Sequence, residues 1–442
     1  MSDISRLSID NDNLFDDAIG DGGVSKSDIE ALSPKLDALR SKITQWVDSA
    51  EPTFLNLPYS SDIKPIKRRG QQIARDFNRT IVFGIGGSSL GGEMLVRTLG
   101  DATPKNTVNF YDNVDPSTMV KLESVDWSET LLLVISKSGN TAETLSQFLT
   151  ILPVMEHKLG YDKVAKHTLF ITENKDGALY QLGEELNIEV IEHPPVGGRF
   201  CVLSIVGLLP AYVGGVDIAG VMEGARSMVQ QCKEKNILKN PAFYNGAAQY
   251  LHSKRGRTIS VVMPYADNLR FVVNWFRQLW AESLGKIDKD GNHQGLTPTE
   301  AHGVTDQHSQ LQLLLEGPDD KLITFITDPG FRFQGRRIPM RFKNIPAVTP
   351  LAGHTIGELF LSELKATRTT LSRRGRPNRT LALLGRDSYA LGELIILLEL
   401  ETIVVAELMG IDPFDQPAVE ESKILTREYL GELRSGSVNE LI

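Results

Sequence analysis

Cysteine is nearly absent from this sequence: Cys201 and Cys232 are the only two in 442 residues. A disulfide framework is therefore excluded, and the usage fits a reducing compartment. No cleavable leader is expected, because "MSDISRLSIDNDNLFDD" is acidic and has no apolar core. Long uncharged hydrophobic runs are also missing. Pro210 interrupts "CVLSIVGLLPAYVGGV", and "LGELIILLELETIVVAELMG" carries Glu393, Glu399, Glu401 and Glu407, so neither reads as a membrane span. Positive charge is in deficit: the formal net charge of -9 excludes a broad electrostatic attraction to nucleic acid or to an anionic membrane. These absences leave a cytoplasmic globular protein with no nucleic-acid or membrane partner, long enough for two or more domains.

What is present is an alternation of apolar runs and helical patterns. The runs are "TIVFGI" at 80–85, "TVNFY" at 107–111, "LLLVIS" at 131–136, "TLFIT" at 168–172 and "IEVIE" at 188–192. Such spacing predicts an α/β fold with a parallel sheet covered on both faces. A helix-like segment over residues 25–50 precedes it. Further on, "GRTISVVMPY" echoes "NRTIVFGIGG", and "LITFITD" echoes "TLFITEN" in the same order, which implies a second α/β domain of the same kind. The pattern divides the chain into an N-terminal helical segment (1–50), a first domain (51–215), a second domain (216–395) and C-terminal helices (396–442) packed on the second domain.

The first run leads into "IVFGIGGSSLGG". Gly84 and Gly86 match the first two glycines of the dinucleotide fingerprint, but the third position is Ser89. Asp112, after "VNFY", only imitates the ribose-binding acid, and no Gly-Lys-Ser/Thr follows to make a nucleotide P-loop. The loop alone is either an anion cradle or a tight turn. "LLLVISKSGNTAET" adds Ser136, Lys137, Ser138 and Thr141 between the third strand and the next helix. Three hydroxyls, one ammonium and the amides of a helix N-terminus suit a phosphate monoester, whereas capping would need one hydroxyl. The first and third strands would flank the point where the winding reverses, which is where ligands of such sheets sit.

Four other segments carry chemistry. In "NLRFVVNWFRQLWAESLGK", Phe271, Val272, Trp275, Phe276, Leu279 and Ser283 share one helical face, with Arg270 and Arg277 opposite. Gln278 and Glu282 stack at its border. A carboxylate there is a partly desolvated base or an ordinary surface glutamate. "PPVGGRFCVLSIVGLLP" sets Arg199 behind two glycines, as an oxyanion stabiliser or an ion-pair partner. "HGVTDQHSQLQLLLEG" places His308 at a helix entry, as catalyst or cap. "MGIDPFDQPAVEESK" ends a helix at Gly410, loops through two prolines and opens a new helix with Pro417 in its first turn. Lys423 follows Glu420 by three residues, which also reads as a surface ion pair. Together these groups supply a base, an acid, an oxyanion stabiliser and a phosphate clamp, the set needed for proton transfer on a sugar phosphate.

"GIGGSSLGG", "SKSGNTAET", "GGRF", "RQLWAESLGK", "DQHSQLQLLLEG" and "PFDQPAVEESK", in this order and near this spacing, resemble the glucose-6-phosphate isomerase family over about residues 45–430. The resemblance implies two sugar-isomerase doubly wound parallel-sheet domains with a C-terminal helical extension. It implies a homodimer with shared active sites, no cofactor, and interconversion of glucose 6-phosphate and fructose 6-phosphate. By the same resemblance, Ser136, Lys137, Ser138 and Thr141 form the phosphate loop, with Gly87 and Ser88 beside it. Glu282 is the base that moves a proton between C2 and C1 through a cis-enediol, and Arg199 stabilises the enediolate. His308, reaching over from the neighbouring subunit, and Lys423 serve ring opening, while Gln278 and Gln416 contact sugar hydroxyls.

Two positions depart from the family pattern: Ala418 stands where Gly is common, and Leu284 where a polar residue is usual. The competing readings are a sugar-phosphate-binding regulator without catalysis, an isomerase of mannose 6-phosphate or an amino sugar, and a dinucleotide-dependent oxidoreductase. The basic clusters "FRFQGRRIPMRFK" and "SRRGRPNR" read as loops or site rims in an acidic chain.

Overall fold

The computed structural model describes residues 5–51, 53–60, 63–100, 105–385 and 387–435. The chain opens with strand β1, Leu7–Asp10. It then builds a sheet from β2 (Arg79–Phe83), β3 (Thr107–Tyr111), β4 (Thr130–Ile135), β5 (Thr168–Thr172) and β6 (Glu189–Glu192). The strand order is β3-β2-β4-β5-β6, and all pairs are parallel.

Side chains alternate between the two faces of each strand, so both must be covered. Ile81 and Phe83, with Leu132 and Val134, pack against Phe148, Ile151 and Met155 of the helix Ala142–Leu159. Val82, Leu131, Leu133 and Ile135 share the opposite core with Leu95, Leu208 and Leu209.

A second sheet repeats the plan with β7 (Ile259–Tyr265), β10 (Thr297–Glu300), β11 (Lys321–Thr327) and β12 (Asn378–Leu383). A small hairpin, β8 (Lys286–Ile287) with β9 (His293–Gln294), lies between β7 and β10 in the chain. The order is β1-β12-β11-β7-β10, parallel except for β1, which runs antiparallel to β12. Each sheet reverses its winding between its first and third strands, β2/β4 and β7/β11.

The echo of "NRTIVFGIGG" in "GRTISVVMPY" is therefore an equivalence of position, β2 with β7. The second echo is not: "LITFITD" forms β11, whose counterpart is β4, whereas "TLFITEN" forms β5. Buried parallel strands share Ile, Phe and Thr whatever their place in the sheet.

Besides the small hairpin, three strands of the two large sheets escaped the sequence pattern. β10 is polar and contains Pro298, as an edge strand tolerates. β12 begins with the buried Asn378 and Arg379, which hide it inside a basic cluster. β1 is held from afar, the amides of Leu7 and of Arg6 just before it donating to the Glu393 carboxylate at 2.9 and 2.8 Å.

One face of each sheet opens onto a common core built around the helix Ser388–Met409, through which the sequence division at 396 passes. The helix packs on Ile218–Gln231, Pro241–Lys254 and Arg270–Leu284. Among the described residues no helix is long and apolar enough to cross a membrane. The last helix, Glu420–Ser435, differs from expectation: instead of packing on the second sheet, its residues 420–433 are all exposed. Residues 436–442 of the expected extension lie outside the described residues.

Glu399, in the middle of the central helix, is fully buried and neither carboxyl oxygen has a hydrogen-bond partner. Burial holds its pKa well above the ordinary 4.5, so the folded protein keeps it protonated where the unfolded chain ionises it. Unfolding then releases a proton, and this group's effect on stability worsens as pH rises above about 4.5. The Glu399→Gln variant is expected to gain Tm over the native protein by a margin that is nil in mild acid and widens toward pH 8. Calorimetric scans at several pH values measure this, and a constant margin would contradict the assignment.

Candidate active site

The register places the two predicted loops side by side. Phe83 pairs with Val134, so the chains leaving β2 and β4 start as neighbours at the carboxyl edge of the sheet. After β2, Gly86–Ser88 make a single tight turn. Gly86 has φ +58°, and a Cβ there would sit 2.8 Å from Gln278 Nε2. A Cβ on Gly87 would lie 2.1 Å from the Gly198 carbonyl oxygen. These glycines let the loop close on both the turn Gly198–Phe200 and the helix Arg270–Leu284. Beneath them the Cys201 thiol bonds the Gly198 and Gly87 carbonyls at 2.9 and 3.4 Å. Burial pushes its pKa up to about 12, so it is a neutral donor and not a nucleophile.

Arg199 is the centre of the site and is only 3% exposed. Its Nε donates to Ser283 Oγ at 2.9 Å. Nη1 donates to Gln416 Oε1 at 2.8 Å and to Glu282 Oε2 at 3.2 Å. Nη2 donates to the Asp415 carbonyl at 2.9 Å and also to that of Pro413. Burial pulls this guanidinium below its ordinary pKa, while Glu282, Asp415 and Asp412 oppose the shift.

The other Glu282 oxygen accepts from Gln278 Nε2 at 3.2 Å. With its side chain 34% exposed, Glu282 remains reachable from solvent. Four of the predicted residues, Arg199, Gln278, Glu282 and Gln416, thus form one hydrogen-bonded network beside the Gly86–Ser88 turn.

Long-range packing assembles this network. Phe200 stacks obliquely on Phe54 and Phe414, with ring centroids at 5.1 and 5.4 Å, and Trp46 closes edge-on to Phe414 at 5.5 Å. The N-terminal helices and the loop after Gly410 therefore meet at the residue following Arg199. Sequence reasoning missed Lys286, whose nearly buried ammonium lies 3.1 Å from the Asp415 carboxylate and donates to its carbonyl at 2.6 Å. The only signal was its place in "ESLGK", four residues after Glu282. Lys286→Met is expected to loosen the loop bearing Gln416 and raise KM about tenfold, the scale of one hydrogen bond to a charged group. Steady-state kinetics measure it, and an unchanged KM would dissociate the clamp from substrate binding.

On the neighbouring strand, the Ser136 and Thr141 hydroxyls bond each other at 2.9 Å. Thr141 stands at the start of the helix Ala142–Leu159 but gives no side-chain cap. Ser138 Oγ accepts from the Asn140 amide at 3.2 Å, and Lys137 lies 3.3 Å from Glu173. Near this ion pair is the fully buried His193, passed over in the sequence, whose pKa is lowered first by burial and further by Lys137.

The remaining two predicted residues stand outside the network. His308 is exposed on a turn after β10, where its amide donates to Thr305 O at 3.0 Å. Lys423 is exposed on the last helix and pairs with Glu420 at 2.6 Å.

The sequence profile of the family Phosphoglucose isomerase matches residues 62–335. The Glucose-6-phosphate isomerase of Carboxydothermus hydrogenoformans is 37% identical, over 96% of this chain and 95% of its own. The chain belongs to the phosphoglucose isomerase family. A second member, from Rubrobacter xylanophilus, is 38% identical over 93% and 95% of the two chains. Among solved structures, a hypothetical protein from Thermus thermophilus superposes with a TM-score of 0.85 at 30% identity, covering 96% of this chain and 99% of that one. A glucose-6-phosphate isomerase from Chlamydia trachomatis shares the fold with a TM-score of 0.79 at 20% identity, over 93% and 87%.

The two departures from the phosphoglucose isomerase pattern fall in different surroundings. Leu284 is fully buried in the core common to both sheets, while Ala418 is exposed in the turn Pro417–Val419.

Proposed function

We propose that this phosphoglucose isomerase interconverts D-glucose 6-phosphate and D-fructose 6-phosphate through ring opening and a cis-enediol. The observation that carries the reading is the Arg199–Glu282 pair, held by Gln278 and Gln416 at the winding reversal of the first sheet. The C–H beside a carbonyl is a weak acid, so catalysis needs a positioned base and a cation for the charge that develops on oxygen. Glu282 removes the proton at C2 and returns it at C1. Arg199, already desolvated, holds the enediolate oxygen.

Ser136, Lys137, Ser138 and Thr141 grip the phosphate, with Gly87 and Ser88 alongside. A remote charged group anchored there aligns the C1–C2 edge with Glu282, so that phosphate binding lowers the barrier at a distance. Residues 51–215, which supply Arg199, and 216–395, which supply Glu282, act as two domains that meet at this pair.

A homodimer completes the site. His308 and Lys423 both lie away from the Arg199 network of their own chain. The last helix also leaves Ile424, Tyr429 and Leu430 uncovered. A second copy resting on that helix buries these side chains and carries His308 to the sugar ring, where it and Lys423 serve ring opening. The enzyme works in the cytoplasm.

A coupled assay with glucose 6-phosphate and mannose 6-phosphate tests the substrate. The expected result is a clear preference in kcat/KM for glucose 6-phosphate. Equal or reversed preference would assign the site to another hexose 6-phosphate.

A further inference from the structure

Of the two basic clusters in the sequence, the fold absorbs one. In "SRRGRPNR", Arg376 donates to the Leu315 and Gly317 carbonyls, and Arg379 lies in the core. "FRFQGRRIPMRFK" is absorbed only in part: Phe331 packs on Phe360 and Arg337 lies 4.0 Å from Glu358, while most of its other side chains are exposed. It occupies the long connection between β11 and the helix Ile356–Arg373. From 329 to 357 the chain has five cations, Arg332, Arg336, Arg337, Arg341 and Lys343, and no carboxylate. All other residues together carry -14, since the whole chain is -9.

The connection is a closed loop. Ile338 and His354 pair through an N–H to carbonyl bond of 2.9 Å, Gly353 returns one of 2.9 Å to Ile338, and Arg337 donates to the Gly353 carbonyl at 2.7 Å. Along this connection lie side chains that a soluble surface ordinarily hides. Phe333 is 83% exposed, Met340 54%, Ile345 51% and Phe342 44%. The guanidinium of Arg341 sits 4.2 Å from the centre of the Phe342 ring, so cation and apolar surface are presented together.

We propose that the loop 329–355 is a docking element for an anionic lipid surface. Cations interleaved with exposed apolar side chains satisfy both demands of such a surface, headgroup charge and apolar insertion at the acyl boundary. Ten of the fourteen residues from Ile338 to Leu351 are apolar, among them the aliphatic Met340 and Ile345. Bases of a nucleic acid stack on aromatic rings and gain little from aliphatic side chains, which favours lipid over a single strand. The acidic remainder of the chain does not forbid the contact. At physiological salt charges are screened over about 8 Å, so the loop at the surface is felt and the body behind it much less.

Co-sedimentation of the full-length enzyme with vesicles tests this, using phosphatidylcholine alone and phosphatidylcholine mixed with phosphatidylglycerol. The expected result is binding to the mixed vesicles only, weakened by added salt. Arg341→Glu combined with Lys343→Glu is expected to weaken it about tenfold or more. Phe342→Ser combined with Ile345→Ser is expected to weaken it comparably while leaving the salt dependence in place. Isomerase activity should be unchanged in both variants, which shows that they are folded. Absence of binding to mixed vesicles, equal binding to both kinds, or binding indifferent to the four substitutions would overturn the proposal. Loop-dependent retention of single-stranded RNA without vesicle binding would assign the loop to nucleic acid. A loop-dependent change in oligomer mass without vesicle binding would assign it to a second copy of the chain.

Discussion

Glu282→Gln is expected to lower kcat by about 10³- to 10⁴-fold while leaving KM for fructose 6-phosphate nearly unchanged. The amide has the shape of the carboxylate. Its oxygen can still accept from Arg199 Nη1, now at 3.2 Å, and it can still meet Gln278 across one turn of the same helix. What it lacks is the ability to take a proton from carbon. In the proposed roles Ser136, Lys137, Ser138, Thr141 and Gln416 hold the substrate, and the substitution replaces none of them, so the loss is expected to fall on turnover. The discriminating measurement is exchange of the C2 hydrogen of glucose 6-phosphate with solvent, followed alongside steady-state kinetics. Exchange and turnover within tenfold of the native enzyme would move the base elsewhere.

The largest expected loss of stability comes from one buried ion pair. Arg379 on β12 and Glu401 on the central helix are joined by two bonds of 2.8 Å and are essentially inaccessible to solvent. Arg379 also donates to Asn245 Oδ1 at 2.6 Å and Thr324 Oγ1 at 2.9 Å, and Glu401 accepts from Gln249 at 3.2 Å. Every polar atom of the pair thus has a partner, which offsets the desolvation of both charges. Removing one partner strands the other, so Arg379→Met or Glu401→Leu alone should cost about 3–5 kcal/mol. The double variant should recover most of that loss, because a hydrophobic pair leaves no orphan charge. Urea unfolding of the two single variants and the double variant measures the coupling. Additive losses would mean that the two charges do not act as a pair.

How much of this was legible in the residues depends on the distance over which each feature is set. The Ser136–Thr141 turn needed only six consecutive positions, because a strand end and a helix start hold Ser136, Lys137, Ser138 and Thr141 together. The stacking of Gln278 on Glu282 follows from helical periodicity alone, and their hydrogen bond confirms it. The strand β12 was missed for the opposite reason. Its arginine reads as surface charge until the carboxylate that neutralises it, 22 residues later on another element, is known. Lys286 was overlooked likewise, because its partner Asp415 lies 129 residues away.

The sequence by itself determined the class of fold, the place of the loops after β2 and β4, the helix carrying Gln278 and Glu282, and membership of an isomerase family. All of these are written in short-range spacing and periodicity. Only the tertiary structure decided that Arg199 is clamped by the 413–416 loop and that two similar sheets share one helical core. It also decided that the last helix stands away from the body and that the basic connection after β11 is exposed. Those features depend on strand order and on which apolar faces find a partner. Both arise from the whole chain burying its surface at once, and no local window of residues contains them.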